Sequence, residues 1–369
     1  MAWPAFFARD AGVARAWRTE RPHMNRQLVF TPRPDASLGP DLFTLQSVPI
    51  PSPKSGQVLV RNLLCSCDPT QVGWLMSGSK YARKLEPGQV MRAWCAGRVV
   101  DSRHPQFRPG DRVWGTMGWE DYTLSDGTGV LPLAAIPDDI PLSYPLGVAG
   151  INGVTAFVGV NDICATHVGE RTVVSTAAGA TGSAAVQIAR NLGARVIGIA
   201  GGPEKCAWLR EALGVEASID YKHDDLAAQL AELVPDGVDV YFDNVGGATL
   251  DTVLGAMAHE GRIALCGATA QYSGASPAFR NVDRILARTL SLRGFVLFQW
   301  LSRFDAISAQ LYQWVREGKL IAKEDIAHGL ESAPTALLRL FQGLNVGKQL
   351  VQLEGAAELE PKLSSLSRP

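Results

Sequence analysis

The run Val173-Val-Ser-Thr-Ala-Ala-Gly-Ala-Thr-Gly-Ser183 sets Gly179 and Gly182 between an apolar stretch with strand character and a stretch with helical period. Such a turn can bring backbone N–H groups against an oxyanion. Glycine has no Cβ to hold a ligand off, and a helix N-terminus carries partial positive charge. The chemistry it suits is pyrophosphate binding in a dinucleotide site. Gly179 and Gly182 stand in the second and third places of the G-x-G-x-x-G pattern, with Ala177 in the first. About twenty residues further on, a site for NAD presents Asp or Glu to the ribose 2′-hydroxyl. Here the second strand ends at Ile199-Ala-Gly-Gly202 without an acid, and Lys205 follows in Pro203-Glu-Lys-Cys206. Space beside a cation suits a 2′-phosphate, so NADPH is the expected cofactor. The plainer alternatives are a strand-helix turn that binds nothing and a solvated lysine in the first turn of a helix.

The elements that position this turn follow from the pattern around it. From Arg26 to about Val100, short β runs (Leu42–Val48, Gln57–Leu64, Cys95–Val100) are broken by Pro and Gly, which reads as a β-rich domain. Phe107-Arg-Pro-Gly-Asp-Arg-Val-Trp-Gly115 reads as a turn feeding a strand. After about Gly150 the texture changes to strand (Thr172–Ser175), glycine turn, helix (Gly182–Leu192) and strand (Arg195–Ile199). Strands follow at Asp239–Phe242, Arg262–Cys266 and Ser291–Phe295, then a helix at Ala306–Glu317 and a last β segment at Lys348–Leu353. Alternating apolar strands and amphipathic helices predict βαβ units on a parallel, doubly wound sheet, an α/β class.

Bulk properties narrow the function. At 369 residues the chain exceeds one ordinary core, and domains of roughly 100 to 200 residues predict two. A formal charge of -1 and a pI near 6.6 argue against coating nucleic acid or an anionic membrane, leaving small molecules as the expected partners. Six cysteines without a closely spaced framework read as reduced thiols in a cytoplasmic setting. Cys65 and Cys67 would share one face of a strand, where two core thiols are the plain reading and a metal pair the other; no metal is expected. The longest apolar runs, such as Leu146–Val160, fall short of the roughly 18 residues of a membrane span. Residues 1–23 are Arg-rich and weakly apolar and are expected to be a disordered extension. A start placed too early at Met1, with Met24 opening the globular part, and a transit-like peptide are the two readings kept for them.

Four strings in the same order, Ala177-Ala-Gly-Ala-Thr-Gly-Ser183, Ile199-Ala-Gly-Gly-Pro-Glu-Lys-Cys206, Ile219-Asp-Tyr-Lys222 and Phe242-Asp-Asn-Val-Gly-Gly247, resemble the zinc-independent prostaglandin and alkenal reductases. These belong to the medium-chain dehydrogenase/reductases, and the likeness runs from about Met24 to Leu353. The resemblance implies a GroES-like catalytic domain (24–150 and 316–353) divided around a Rossmann domain (151–315), with 354–369 as a frayed tail. It implies hydride transfer from NADPH to the β-carbon of an α,β-unsaturated ketone or aldehyde, with protonation of the resulting enolate and without metal. The cofactor-contacting set it implies is Ala178, Gly179, Ala180, Thr181, Gly182, Gly201, Lys205, Tyr221, Asn244, Cys266, Gly267, Phe295 and Asn345. Lys205 and Tyr221 would bracket the 2′-phosphate, and Asn345 would reach the cofactor from the other domain. Tyr272 matches the tyrosine whose hydroxyl points toward the nicotinamide, a donor suited to an enolate oxygen. A homodimer is implied as well, with Ser291–Phe295 as an edge strand suited to pairing across it.

The sequence also departs from that family. Its Asp-Pro-Tyr-Met-Arg string stands here as Asp68-Pro-Thr-Gln-Val-Gly-Trp74, so Thr70 replaces the pocket tyrosine and Trp74 or Tyr81 is expected to supply the aromatic wall. The Gly-His-Glu signature and four-cysteine lobe of zinc alcohol dehydrogenases are not in the sequence. The main expectation is an NADPH-dependent ene-reductase; the alternatives are a quinone oxidoreductase of the same superfamily and a nucleotide-binding protein without chemistry.

Overall fold

The structure, a computed structural model, describes residues 24–32, 38–75, 83–270, 280–356 and 360. Contacts divide the chain into two compact units. The first holds the chain up to Leu142 together with Ile326–Ala336 and the residues from Leu350; the second holds Ser143–Asp325 and Leu337–Gln349.

The first unit is β-rich. It contains β1 (Met24–Phe30), β2 (Phe43–Pro49), β3 (Val58–Ser66), the short helix α1 (Thr70–Leu75), β4 (Arg92–Ser102), β5 (Arg112–Gly118), β6 (Tyr122–Ser125) and β7 (Ala134–Ala135). β1 and β2 pair antiparallel over their whole length, from Met24 opposite Pro49 to Phe30 opposite Phe43. β3 is buried at every position, a pattern that belongs to a strand covered on both faces rather than to an alternating one. It pairs antiparallel with both β4 and β6. Beneath these strands the Asp121 carboxylate receives two guanidinium groups, Arg26 at 2.7 Å and Arg61 at 2.9 Å. Asp121 and Arg61 are both buried.

The second unit is a βαβ array. Its elements in chain order are α2 (Ile151–Phe157), β8 (Arg171–Val174), α3 (Ala180–Asn191), β9 (Arg195–Ala200), α4 (Pro203–Glu211), β10 (Ala217–Asp220), α5 (Leu226–Leu233), β11 (Val238–Asp243), α6 (Gly247–Ala256), β12 (Met257–Leu265), α7 (Asp283–Ala287), β13 (Ser291–Gly294) and α8 (Phe304–Arg316). Six strands form one parallel sheet in the order β10-β9-β8-β11-β12-β13. The order reverses direction between β8 and β11, the point where open α/β sheets bind ligands at their carboxyl ends. Val173, Ile197, Ile199, Ile219, Tyr241 and Ile263 from the strands pack with Leu230, Leu250, Val253 and Leu254 from the helices. β13 is the last strand of the sheet, and all four of its residues are exposed.

The chain ends with β14 (Glu324–His328), α9 (Ala333–Phe341) and β15 (Lys348–Gln352). Leu350 to Gln352 of β15 lie antiparallel to Ser66 to Leu64 of β3, so the last β segment does rejoin the first unit. Two boundaries differ from expectation. Residues 316–325 and 337–349 cluster with the dinucleotide unit, and that places Asn345 there rather than in the β-rich unit. Nor does the chain fray at 354: Ala356 is buried, and the buried Glu360 meets Arg98 at 3.0 Å and Arg112 at 3.3 Å, a carboxylate that two arginines draw inward. Among the described residues no helix is long and apolar enough to cross a membrane.

Removing the charge that Arg26 and Arg61 share leaves the buried Arg61 without its carboxylate, while the more exposed Arg26 keeps Glu331 and Glu354, each at 3.1 Å. Asp121→Asn is therefore expected to cost about 3–5 kcal/mol, read as a lowered melting temperature and denaturant midpoint; an unchanged midpoint would refute the role given to this pair.

Candidate dinucleotide site

The glycine turn begins where β8 ends. Thr176 has a positive φ of 50°, and Ala177 donates to the carbonyl of Ile199 on the neighbouring strand at 2.9 Å. A Cβ on Gly198 would stand 3.0 Å from the Ala177 methyl. The methyl that replaces the first glycine of the pattern is thus accommodated by a glycine on β9. Gly182 permits the close approach of helix to turn, since a Cβ there would lie 2.1 Å from the Thr176 carbonyl oxygen. Gly179 caps α3 without any side-chain acceptor, which leaves the first-turn amides to another partner. Within that turn Thr181 Oγ1 accepts from Asn152 Nδ2 at 2.9 Å.

A strap from the end of the chain closes on the turn. Gly347 donates to the carbonyl of Ala178 at 2.8 Å and bridges Gly179 in parallel fashion. Its φ of +76° and the Lys323 carbonyl oxygen, 2.0 Å from an added Cβ, require glycine. Asn345 Nδ2 donates to Gly347 O at 2.9 Å, so this side chain shapes the strap.

The far end of the site lies past β9. Gly202 has a φ of +100° and donates to Asp220 Oδ1 at 2.8 Å, so the nearest carboxylate on β10 is engaged by backbone. A Cβ on Gly201 would come within 2.8 Å of the Tyr221 ring and 3.0 Å of Lys222 Cε. Lys205 is half-buried and donates from Nζ to Gly343 O at 2.8 Å. Burial, followed by the charge of Lys222, lowers its pKa. Tyr221 is exposed. Two glycines, a tyrosine and two lysines therefore lie at this end of the sheet.

Between the two switch-point strands lies a group that sequence reasoning passed over. The Asp243 carboxylate is fully buried and accepts from Tyr241 OH (2.8 Å), Ser175 Oγ (3.0 Å), and the amides of Val245 (2.9 Å) and Gly246 (3.0 Å). Burial raises its pKa, and these donors oppose the shift. Asn244 donates from its amide to Ser175 Oγ at 2.8 Å and from Nδ2 to Ser175 O at 2.7 Å. Its side chain thus ties one turn to the other. Cys266 and Gly267 both donate to Asp243 O, and burial pushes the Cys266 thiol up to about 12. Phe295 is buried edge-on to Trp300 at 5.8 Å. The signal for Asp243 was present, since it opens the Asp-Asn-Val-Gly-Gly string, but its partner Ser175 lies 68 residues away.

In the β-rich unit Thr70 is exposed at the start of α1, whereas Trp74 is 6% exposed and stacks edge-on against Trp94 at 5.6 Å. Tyr81 and Tyr272 lie outside the described residues. Among the described residues no group of three or more His, Cys, Asp or Glu could hold a metal ion.

Asp243→Asn keeps the shape but turns one acceptor into a donor facing other donors. It is expected to cost about 2–3 kcal/mol of stability and to weaken dinucleotide binding, measured by titration of the folded variant; wild-type affinity would disprove the tie between the turns.

Residues 26–133 match the family described as N-terminal domain of oxidoreductase, and residues 180–314 the family described as zinc-binding dehydrogenase. The NADP(+)-dependent 2-alkenal reductase of Nicotiana tabacum is 39% identical over 303 residues, 81% of this chain and 88% of that one. The NADPH-dependent curcumin reductase of Escherichia coli (strain K12) is 36% identical over 339 residues, 90% of this chain and 97% of that one. The crystal structure of CurA from Vibrio vulnificus in complex with NADPH superposes with a TM-score of 0.83 at 36% identity, covering 89% of this chain and 99% of that one. The chain belongs to the medium-chain dehydrogenase/reductase superfamily and, within it, to the zinc-independent family of alkenal, curcumin and prostaglandin reductases.

Proposed function

We propose that the protein is an NADPH-dependent reductase of the carbon–carbon double bond in α,β-unsaturated ketones and aldehydes. The observation that carries the cofactor half is the end of β9. No atom lies within 4 Å of a Cβ built on Gly202, Asp220 is occupied by the Gly202 amide, Gly201 lets the Tyr221 ring and Lys222 come close to the backbone, and Lys205 is held by Gly343 O. Family membership carries the reaction half. NADPH, when bound, supplies the hydride that reaches the β-carbon.

The chain's own residues would hold and orient the reactants. The amides from Ala178 to Gly182 receive the pyrophosphate at the uncapped start of α3. Lys205 and Tyr221 flank the 2′-phosphate, while Asn244, Cys266, Gly267, Phe295 and Asn345 border the remainder of the cofactor. The Tyr272 hydroxyl donates to the carbonyl oxygen, which gains charge only as the hydride arrives, so its hydrogen bond favours the transition state over bound substrate. A hydroxyl rather than a metal ion is given this role because the Gly-His-Glu signature and four-cysteine lobe are missing from the sequence. Thr70, Trp74 and Tyr81 are assigned to the substrate pocket. The exposed edge β13 suits pairing with a second copy in a homodimer.

Oxidation of NADPH is expected to depend on an added acceptor from a panel of medium-chain 2-alkenals, 15-keto-type enones, benzalacetone-like aryl enones and quinones. Turnover of quinones alone would make the protein a quinone reductase, and tight NADPH binding without turnover of any acceptor would remove the enzymatic reading. Lys205→Ala should raise the KM for NADPH about tenfold or more, the worth of a hydrogen bond between charged groups, with less than about a twofold change for NADH. Because the Lys205 pKa is lowered, its charge is lost at a lower pH than that of an ordinary lysine. The wild-type KM for NADPH should accordingly climb on the alkaline side while that for NADH stays level. Parallel profiles for the two cofactors would contradict the assignment.

A further inference from the structure

The arginines of the β-rich unit that withdraw from solvent find carboxylates, with one exception. Arg26 and Arg61 meet Asp121, and Arg98 and Arg112 meet Glu360. Arg92, the first residue of β4, meets no carboxylate among the described residues. Its guanidinium lies over the Trp74 ring at 5.2 Å, and one terminal nitrogen donates to the carbonyl of Arg83. Its Nε is buried without a partner. Burial, and then the charge of Arg83, lower its pKa, so the cation is held where its surroundings disfavour it. The described segments beside it offer no relief: Pro69 to Leu75 and Arg83 to Leu85 hold no Asp or Glu, and Arg83 and Lys84 add two positive charges.

A partly desolvated cation is costly unless an anion pairs with it. Arginine has five donors in a rigid fork, and a guanidinium held over an indole has less freedom to turn than one in water. One donor is spent on Arg83 and the rest are not used on a carboxylate of this unit. The helix that carries Trp74 also carries Thr70, and both belong to the string assigned above to the substrate pocket.

We propose that Arg92 receives a carboxylate borne by the substrate, so that the preferred acceptors are enones or enals with an anionic end. The inference rests on the ene-reductase reading and names the substrate class for that site. A bidentate guanidinium–carboxylate contact fixes the orientation of an elongated acceptor as well as its affinity.

The test compares 4-(3-oxobut-1-enyl)benzoate with its methyl ester, the same enone with and without the charge. In the wild type, kcat/KM for the acid should exceed that for the ester about tenfold or more, the range of a charge-assisted contact. Raising the salt concentration should narrow the gap. In Arg92→Gln the acid-to-ester ratio should collapse toward one, and in Arg92→Lys part of it should survive. The ratio is taken within a single preparation, so a smaller folded fraction does not alter it. Equal use of acid and ester by the wild type, or an unchanged ratio in Arg92→Gln, would overturn this inference and leave the ene-reductase standing. Failure to reduce either compound while quinones are reduced would remove both.

Discussion

At the switch point of the parallel sheet a single buried carboxylate accepts hydrogen bonds from a phenol, a hydroxyl and two backbone amides. Asp243 thereby does for two turns what a cap does for one helix. Ser175 follows β8 and leads into the glycine turn, Asn244 opens the turn after β11, and each is bonded to the other through Ser175 Oγ and Ser175 O. The desolvation of Asp243 is tolerated because four donors that themselves need a partner converge on its carboxylate. Neither turn can move without breaking this set, so the shape of the two turns is fixed before any ligand arrives.

The same economy explains the altered first glycine. What the pattern G-x-G-x-x-G encodes is the volume available between a strand, a turn and a helix, and that volume can be supplied from either side. Here Ala177 fills part of it and Gly198 on the next strand gives it back. At Gly182 no such exchange is open, because the clash would be with the Thr176 backbone, which cannot retreat without dismantling the turn.

How legible each feature was follows from how local its cause is. The strands and helices of the second unit emerge from alternation of apolar and polar residues, and the β3 segment from its apolar run, because burial of one face or two is written into neighbouring positions. The candidate cofactor end of β9 could be proposed for the same reason, with glycines and Lys205 within a few residues. Contacts between distant segments were not readable. Ser175 with Asp243 spans 68 residues and Lys205 with Gly343 spans 138. The allocation of Asn345 to the dinucleotide unit likewise depends on Gly347 meeting Ala178, a pairing without local periodicity. The burial of Glu360 escaped notice because it reads as one more polar residue in a polar tail until two arginines claim it.

Charge pairing separates the structural cations from those with another use. The net charge is close to zero, and most withdrawn arginines are neutralised in place: Arg171 by Asp239, Arg262 by Glu170, Arg339 by Asp325. Each of these cations holds segments of the chain together, and its partner satisfies the cost of leaving water. Lys205 and Arg92 follow a different rule. Each is partly buried, each has its pKa lowered by that burial, and each bonds a main-chain carbonyl where the others bond carboxylates. A carbonyl orients a cation but leaves its charge uncancelled, so an arriving anion gains the full attraction without first displacing a rival.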